Sequence, residues 1–216
     1  MIGFSVFICL YAISCIIHLL FCFLENGKFR KWSKCFCMGL LAIAVFFFAP
    51  QYPLIYISII LGFLGDLFLL KKENAFYLTI GAISFAAMHG LNMYIICSYL
   101  SYSVNWSVFV ISLIGLAIFI IYGKLTKRKV PPAIRKGALG YFFLLLFATV
   151  IAGLLLIDSL SLGSIIIFTG YILFLCSDIC LVIFNYVHHV KRKHFWVMLT
   201  YLSAQTLIYI GMILLI

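Results

Sequence analysis

Two aspartates stand in stretches that are otherwise apolar: Asp66 in "LGFLGDLFLLKKEN" and Asp178 in "YILFLCSDICLVIFNY". A carboxylate inside a bilayer costs a few kcal/mol on insertion scales, so an intramembrane acid faces a cavity or a partner and marks function by default. The chain has only five acidic residues, and the other three, Glu25, Glu73 and Asp158, fall in predicted loops. Two buried carboxyls in different surroundings can divide the work of proton donor and cation stabiliser, as glycosidase pairs do. Intramembrane acids also serve as proton relays, so transport is open beside catalysis.

The elements that must position these acids follow from composition. Of 216 residues, 67% are hydrophobic and 9% charged, with a mean hydropathy of +1.27, which excludes an ordinary soluble domain. Runs of about 20 apolar residues bounded by charges or turn formers predict eight spans, at 4–24, 35–49, 52–70, 75–98, 105–123, 138–157, 162–187 and 195–216. The second is short because "APQYP" interrupts it. The first lacks a basic leader and a small-residue cleavage site, so it reads as a retained helix. The expected fold is an all-α membrane protein, an eight-helix bundle forming one transmembrane domain over 1–216.

A net charge of +10 raises the question of nucleic acid, but all fifteen bases sit in the odd-numbered loops. Lys28, Arg30, Lys31 and Lys34 fall in the first loop and Lys71 and Lys72 in the third. Six more lie between Lys124 and Lys136, and Lys191, Arg192 and Lys193 complete the set. By the positive-inside rule these loops are cytoplasmic and both termini extracytoplasmic. The bases read as topology signals and contacts for anionic lipids, with no nucleic acid. A bacterial cytoplasmic membrane is the expected location, or the endoplasmic reticulum in a eukaryotic source.

Eight cysteines occur without a CxxC pair, mostly inside spans, where a thiol packs as a small hydrophobe. His188, His189 and His194 share a basic loop at headgroup level, and His18 reads as core packing. His89 differs: Asn92 lies one turn on, and Ala82, Ala86 and Gly90 form an adjoining face of small residues. His89 is thus either a structural hydrogen-bonding group or a site-lining one.

Asp66 and Asp178 each lie in the third helix of a four-helix set, after a small residue, Gly65 or Ser177. The following helices carry mid-span polar groups, His89 and Asn92 in one and Tyr201 and Gln205 in the other. The halves 1–100 and 101–216 would then be a parallel repeat about an axis along the membrane normal, coincidental hydropathy being the alternative. By helical rise Asp66 lies about 8 Å and Asp178 roughly 15 Å from the cytoplasmic edge. Tyr171, Asp178 and Asn185, spaced by seven, share a line on one helix, and Tyr201 and Gln205 share a face of the next. Such a polar-lined pocket suits an amphiphile with its head at the basic loops.

At these residues the sequence resembles the YhhN family of integral membrane proteins, which includes the lysoplasmalogenases. The blocks are "GDLFLL", "FYLTIGAISFAAMHGLNMY", "GYILFLCSDICLVIFNY" and "VMLTYLSAQTLIYIG", in family order from Gly62 to Gly211. The family pattern carries an aromatic residue three after the helix-four histidine, where this chain has Asn92 and then Tyr94. The resemblance implies hydrolysis of the vinyl ether bond of lysoplasmalogen to a fatty aldehyde and glycerophosphocholine or glycerophosphoethanolamine, with Asp66 and Asp178 catalytic. That chemistry uses water and calls for no metal or cofactor. Asp178, deeper and ringed by apolar residues, is the expected general acid; Asp66, nearer Lys71 and Lys72, is the expected carboxylate. His89, Asn92, Tyr201, Gln205, Tyr171 and Asn185 are candidates to line the substrate site, and Lys71 and Lys72 to meet its phosphate. The residues alone leave open a proton-coupled small transporter or lipid flippase, or a protein whose acids serve assembly.

Overall fold

A computed structural model describes residues 2–71, 73–101, 106–127, 129–188 and 190–216, without side chains at 2–4, 107 and 133. Lys72 and His189 lie outside the described residues. Eight α-helices and one 3-10 turn account for nearly all of it: α1 Ile2–Phe23, α2 Gly27–Phe48, α3 Pro53–Phe68, α4 Ala75–Cys97, α5 Trp106–Thr126, α6 Pro132–Asp158, α7 Leu162–Tyr186 and α8 Lys193–Leu215. The 3-10 turn, Leu69–Lys71, prolongs α3. All eight helices are long and apolar enough to cross a membrane, so the protein is an all-helical, multi-pass membrane protein.

Two helix starts differ materially from the hydropathy reading: α6 begins at Pro132, not at residue 138, so that Arg135 and Lys136 are helical, and α2 differs more. The second helix begins at Gly27, not at residue 35, and its 22 residues are a full span. Hydropathy ends a span at the first charge, whereas a helix ends where its backbone loses partners. Here Asn26 caps the helix, its side chain accepting from the Phe29 N–H at 3.4 Å. Lys28, Arg30, Lys31 and Lys34 are therefore helical residues, and the long lysine stems can lie along apolar surface with the charge toward water.

The contacts cluster into two compact units, 1–92 and 93–216. In the first, α1 packs on α2 and α2 on α3. The α1–α2 seam holds a buried polar knot: His18 Nδ1 lies 2.8 Å from Ser33 Oγ and its Nε2 3.4 Å from Cys22 Sγ. His18 and Cys22 are both fully buried, as the packing reading of His18 expects. Ser14 adds a hydrogen bond to Cys37 Sγ at 3.6 Å. Proline at the start of α3 needs no N–H there. The close approach of α3 and α4 occurs at Gly65 and Gly81: a Cβ on Gly81 would lie 3.3 Å from the Gly65 carbonyl oxygen. Gly90, on the small face predicted from sequence, has nothing within 4 Å of its ideal Cβ.

In the second unit α5 packs on α6, α6 on α7 and α7 on α8. Tyr122 and Phe142 stack with ring centroids 3.8 Å apart. Asp158, expected in a loop, is instead the last residue of α6. Its carboxylate accepts from the Ser101 N–H at 2.8 Å and from the Ser101 hydroxyl. A capping box formed by Ser161 and Ser164 starts α7. The α7–α8 seam is the tightest: glycines let the two backbones meet, the device that membrane helices use because lipid gives them no hydrophobic drive to associate. A Cβ on Gly170 would fall 2.9 Å from Ile208 N, and one on Gly211 would fall 2.9 Å from both Gly163 O and Ile167 N.

Because backbone cannot yield as a side-chain tip can, Gly211→Val should destabilise by about 1–3 kcal/mol or more, read as a lower unfolding temperature in detergent. Gly137→Ala, at an open helical site, should instead be neutral or stabilising by up to roughly 1 kcal/mol. Equal behaviour of the two variants would contradict the packing account.

Candidate functional site

In the first unit the site is built around Asp66. The residue is fully buried near the end of α3, and Lys34 Nζ lies 2.7 Å from its Oδ1. The lysine side chain keeps 21% of its exposure. It sits seven residues beyond the start of α2, about 10 Å along the helix, the depth from which α2 can reach the Asp66 level of α3. Gly65 gives room for the flat face of Phe85 from α4, whose ring atoms come within 2.7 Å of an ideal Cβ there. An aromatic ring thus closes the backbone beside the acid, and any larger residue at 65 would push it away.

The magnitudes bear on why the pair exists. On insertion scales each unpaired charge costs roughly 3 kcal/mol at mid-bilayer, so two cost roughly 6 kcal/mol. Unit charges at the observed 2.7 Å attract by roughly 6 kcal/mol at an effective dielectric of about 20. Attraction and cost nearly cancel. A buried ion pair of this kind is weak evidence for stability, whereas leaving either partner alone would be costly.

The bases expected near Asp66 were Lys71 and Lys72; Lys72 lies outside the described residues, and for Lys71 the structure corrects the expectation. Lys71 is exposed, its Nζ 5.2 Å above the Tyr77 ring in a cation–π arrangement, and the charge on Asp66 is met by Lys34 instead. Sequence reading missed Lys34 because it assigned the residue to a loop. The signal was present: Asn26-Gly27 is a helix start, followed by an uninterrupted helical run into the apolar segment.

His89 and Asn92 lie on α4, both fully buried. Neither the Asn92 amide nitrogen nor its oxygen has a hydrogen-bond partner among the described residues. An amide buried without a partner costs roughly 1–3 kcal/mol, so this one suits a site that water or a substrate oxygen can enter.

In the second unit Asp178 is half-buried on α7, with its Oδ2 atom enclosed. The preceding Ser177 donates from Oγ to the Val197 carbonyl of α8 at 3.0 Å, fixing the rotation of α7 at the acid. Tyr171 is fully buried, as is Gln205, and Tyr201 nearly so. Gln205 Nε2 reaches the Tyr201 hydroxyl at 3.4 Å, which joins the two residues predicted to share a face. Tyr201 also packs edge-on against Phe174, with centroids 5.5 Å apart. The line of residues spaced by seven runs from the core at Tyr171 to the surface at Asn185. There Asn185 donates to the Leu181 carbonyl at 2.7 Å and accepts from Lys193 Nζ at 2.9 Å, so it ties the end of α7 to the start of α8.

The arrangement supplies, in one unit, a buried carboxylate on α3 held by an ammonium, and a buried amide on α4. In the other it supplies a half-buried carboxyl on a helix lined by tyrosines and a glutamine. Proton transfer and cation stabilisation are within the reach of such groups.

No curated protein and no solved structure matches the chain. The family model described as the YhhN family matches residues 29–212. That span runs from the first turn of α2 into the last turn of α8 and contains every site residue described above. By this match the protein belongs to the YhhN family.

Proposed function

We propose that this protein is a lysoplasmalogenase-like hydrolase that cleaves the vinyl ether bond of a lysoplasmalogen within the membrane. The observation that carries the reading is a fully buried carboxylate, Asp66, on an apolar helix of a YhhN-family chain. Asp178 donates a proton to the β-carbon of the enol ether double bond, leaving an oxocarbenium ion. The Asp66 carboxylate stabilises that cation. Water adds to it, and the hemiacetal collapses to a fatty aldehyde and a glycerophospho headgroup. The two protons released, one from water and one from the hemiacetal hydroxyl, reprotonate Asp178 and the glycerol oxygen. His89, Asn92, Tyr201, Gln205 and Tyr171 orient water and the glycerol end, and Lys71, Lys72 and Asn185 are the candidates to meet the headgroup. Basic loops on the cytoplasmic side set the orientation, in a bacterial cytoplasmic membrane or, in a eukaryotic source, the endoplasmic reticulum.

Asp66→Asn and Asp178→Asn keep size and polarity while removing the titratable group. Each should lower aldehyde release by about 10²-fold or more, the range of general acid–base contributions, with membrane expression intact. Near-normal turnover in either variant removes that carboxyl from the reaction.

Asn92→Leu should separate stability from activity. Replacing a buried amide that has no partner with an apolar side chain of similar volume should be neutral or raise the unfolding temperature, while aldehyde release falls. A large loss of stability would show that the amide is a structural group.

A further inference from the structure

The work a buried carboxyl can do depends on its form: protonated it gives up a proton, ionised it faces a cation. We propose that Lys34 is the positioning residue that holds Asp66 in its ionised form and fixes where that carboxylate sits, so that Asp66 serves as the anion of the site and not as its proton donor. The assignment of a step to Asp66 rests on the hydrolase reading; the charge state of Asp66 does not.

The geometry starts on α2. Met38, Leu41 and Val45 are buried at spacings of three and four, a continuous apolar stripe. Lys34, four residues before Met38, continues that stripe, and its Nζ ends 2.7 Å from Asp66 Oδ1 on α3. An apolar residue would extend the stripe without any charge to desolvate, so a lysine is there for its ammonium. The rotation of α2 is fixed independently on the α1 side, where Ser33 Oγ meets His18 at 2.8 Å and the Cys37 thiol accepts from Ser14. Ser33 and Cys37 thus hold one face of α2 while Lys34 is delivered to α3. Of the two bases placed near Asp66 by sequence, Lys71 is exposed and turned to Tyr77, and Lys72 lies outside the described residues. An anion so held suits a developing oxocarbenium ion, because its charge is in place before the reaction and need not form during it.

The test uses the full-length protein in detergent, with infrared difference spectra and with aldehyde release from a lysoplasmalogen at neutral pH. The wild-type minus D66N spectrum should contain a carboxylate signal and no protonated-carboxyl carbonyl band. In K34M that band should appear, and it should vanish in K34M/D66N. For turnover, K34M should lose about 10²-fold in kcat with little change in KM, the pattern of an interaction made in the transition state. K34R, which restores a cation, should recover to within about tenfold of wild type despite its different shape. A protonated Asp66 in the wild type, or a folded K34M that keeps both the carboxylate signal and wild-type kcat, overturns the proposal. Should K34M not accumulate, a protonated-carboxyl band in the wild-type minus D66N spectrum still overturns the proposal. If the wild type releases no aldehyde, the hydrolase reading falls, and the infrared bands alone decide whether Lys34 keeps Asp66 charged.

Discussion

A carboxylate in a low-dielectric interior has to find a cation or give up its charge, and the first unit of this protein is arranged around the first choice. Lys34 reaches Asp66 only because α2 begins at Gly27 and carries its basic residues on the helix. The helix is oriented by the His18–Ser33 contact on its other side. Moving the start of α2, or rotating it by one residue, would take the ammonium off the acid. A break-even ion pair adds little to stability, so its presence in so apolar a chain is understood better through what a fixed negative charge can do.

The close helix contacts serve the same acids. Gly65 admits the Phe85 ring next to Asp66, and Ser177 bonds across to the α8 backbone next to Asp178. In both cases the small residue ahead of the acid is a packing device that fixes the helix carrying it. The glycine seam of α7 and α8 then holds the tyrosines and Gln205 at a set depth. Polar groups on rigid, closely packed helices keep their geometry without loops, which hydrocarbon would not tolerate.

Much of this was legible in the sequence. Eight spans follow from runs of apolar residues, since a helix needs about 20 of them to cross, and the two acids stand out because almost nothing else in those runs is charged. The start of α2 was not legible by hydropathy, because a window stops at the first lysine while the helix continues through the headgroup layer; the Asn26 cap carried that information instead. The shared face of Tyr201 and Gln205 followed from helical period alone. Period also put Asn185 on the line of Tyr171 and Asp178 but said nothing about depth, and the residue proves to be surface-exposed and engaged with Lys193. Partners such as Lys34 for Asp66, or Val197 for Ser177, depend on which helices pack together, which one sequence does not reveal.

The central claim is that the buried acids perform hydrolysis and do not carry protons across a bilayer. Protein purified in detergent, where no sealed compartment exists, should be given a vinyl ether lysophospholipid and its saturated ether analogue, which differ only in the double bond that accepts the proton. The account predicts fatty aldehyde from the vinyl ether and none from the saturated ether. No aldehyde from either, with activity appearing only in sealed vesicles, would contradict it.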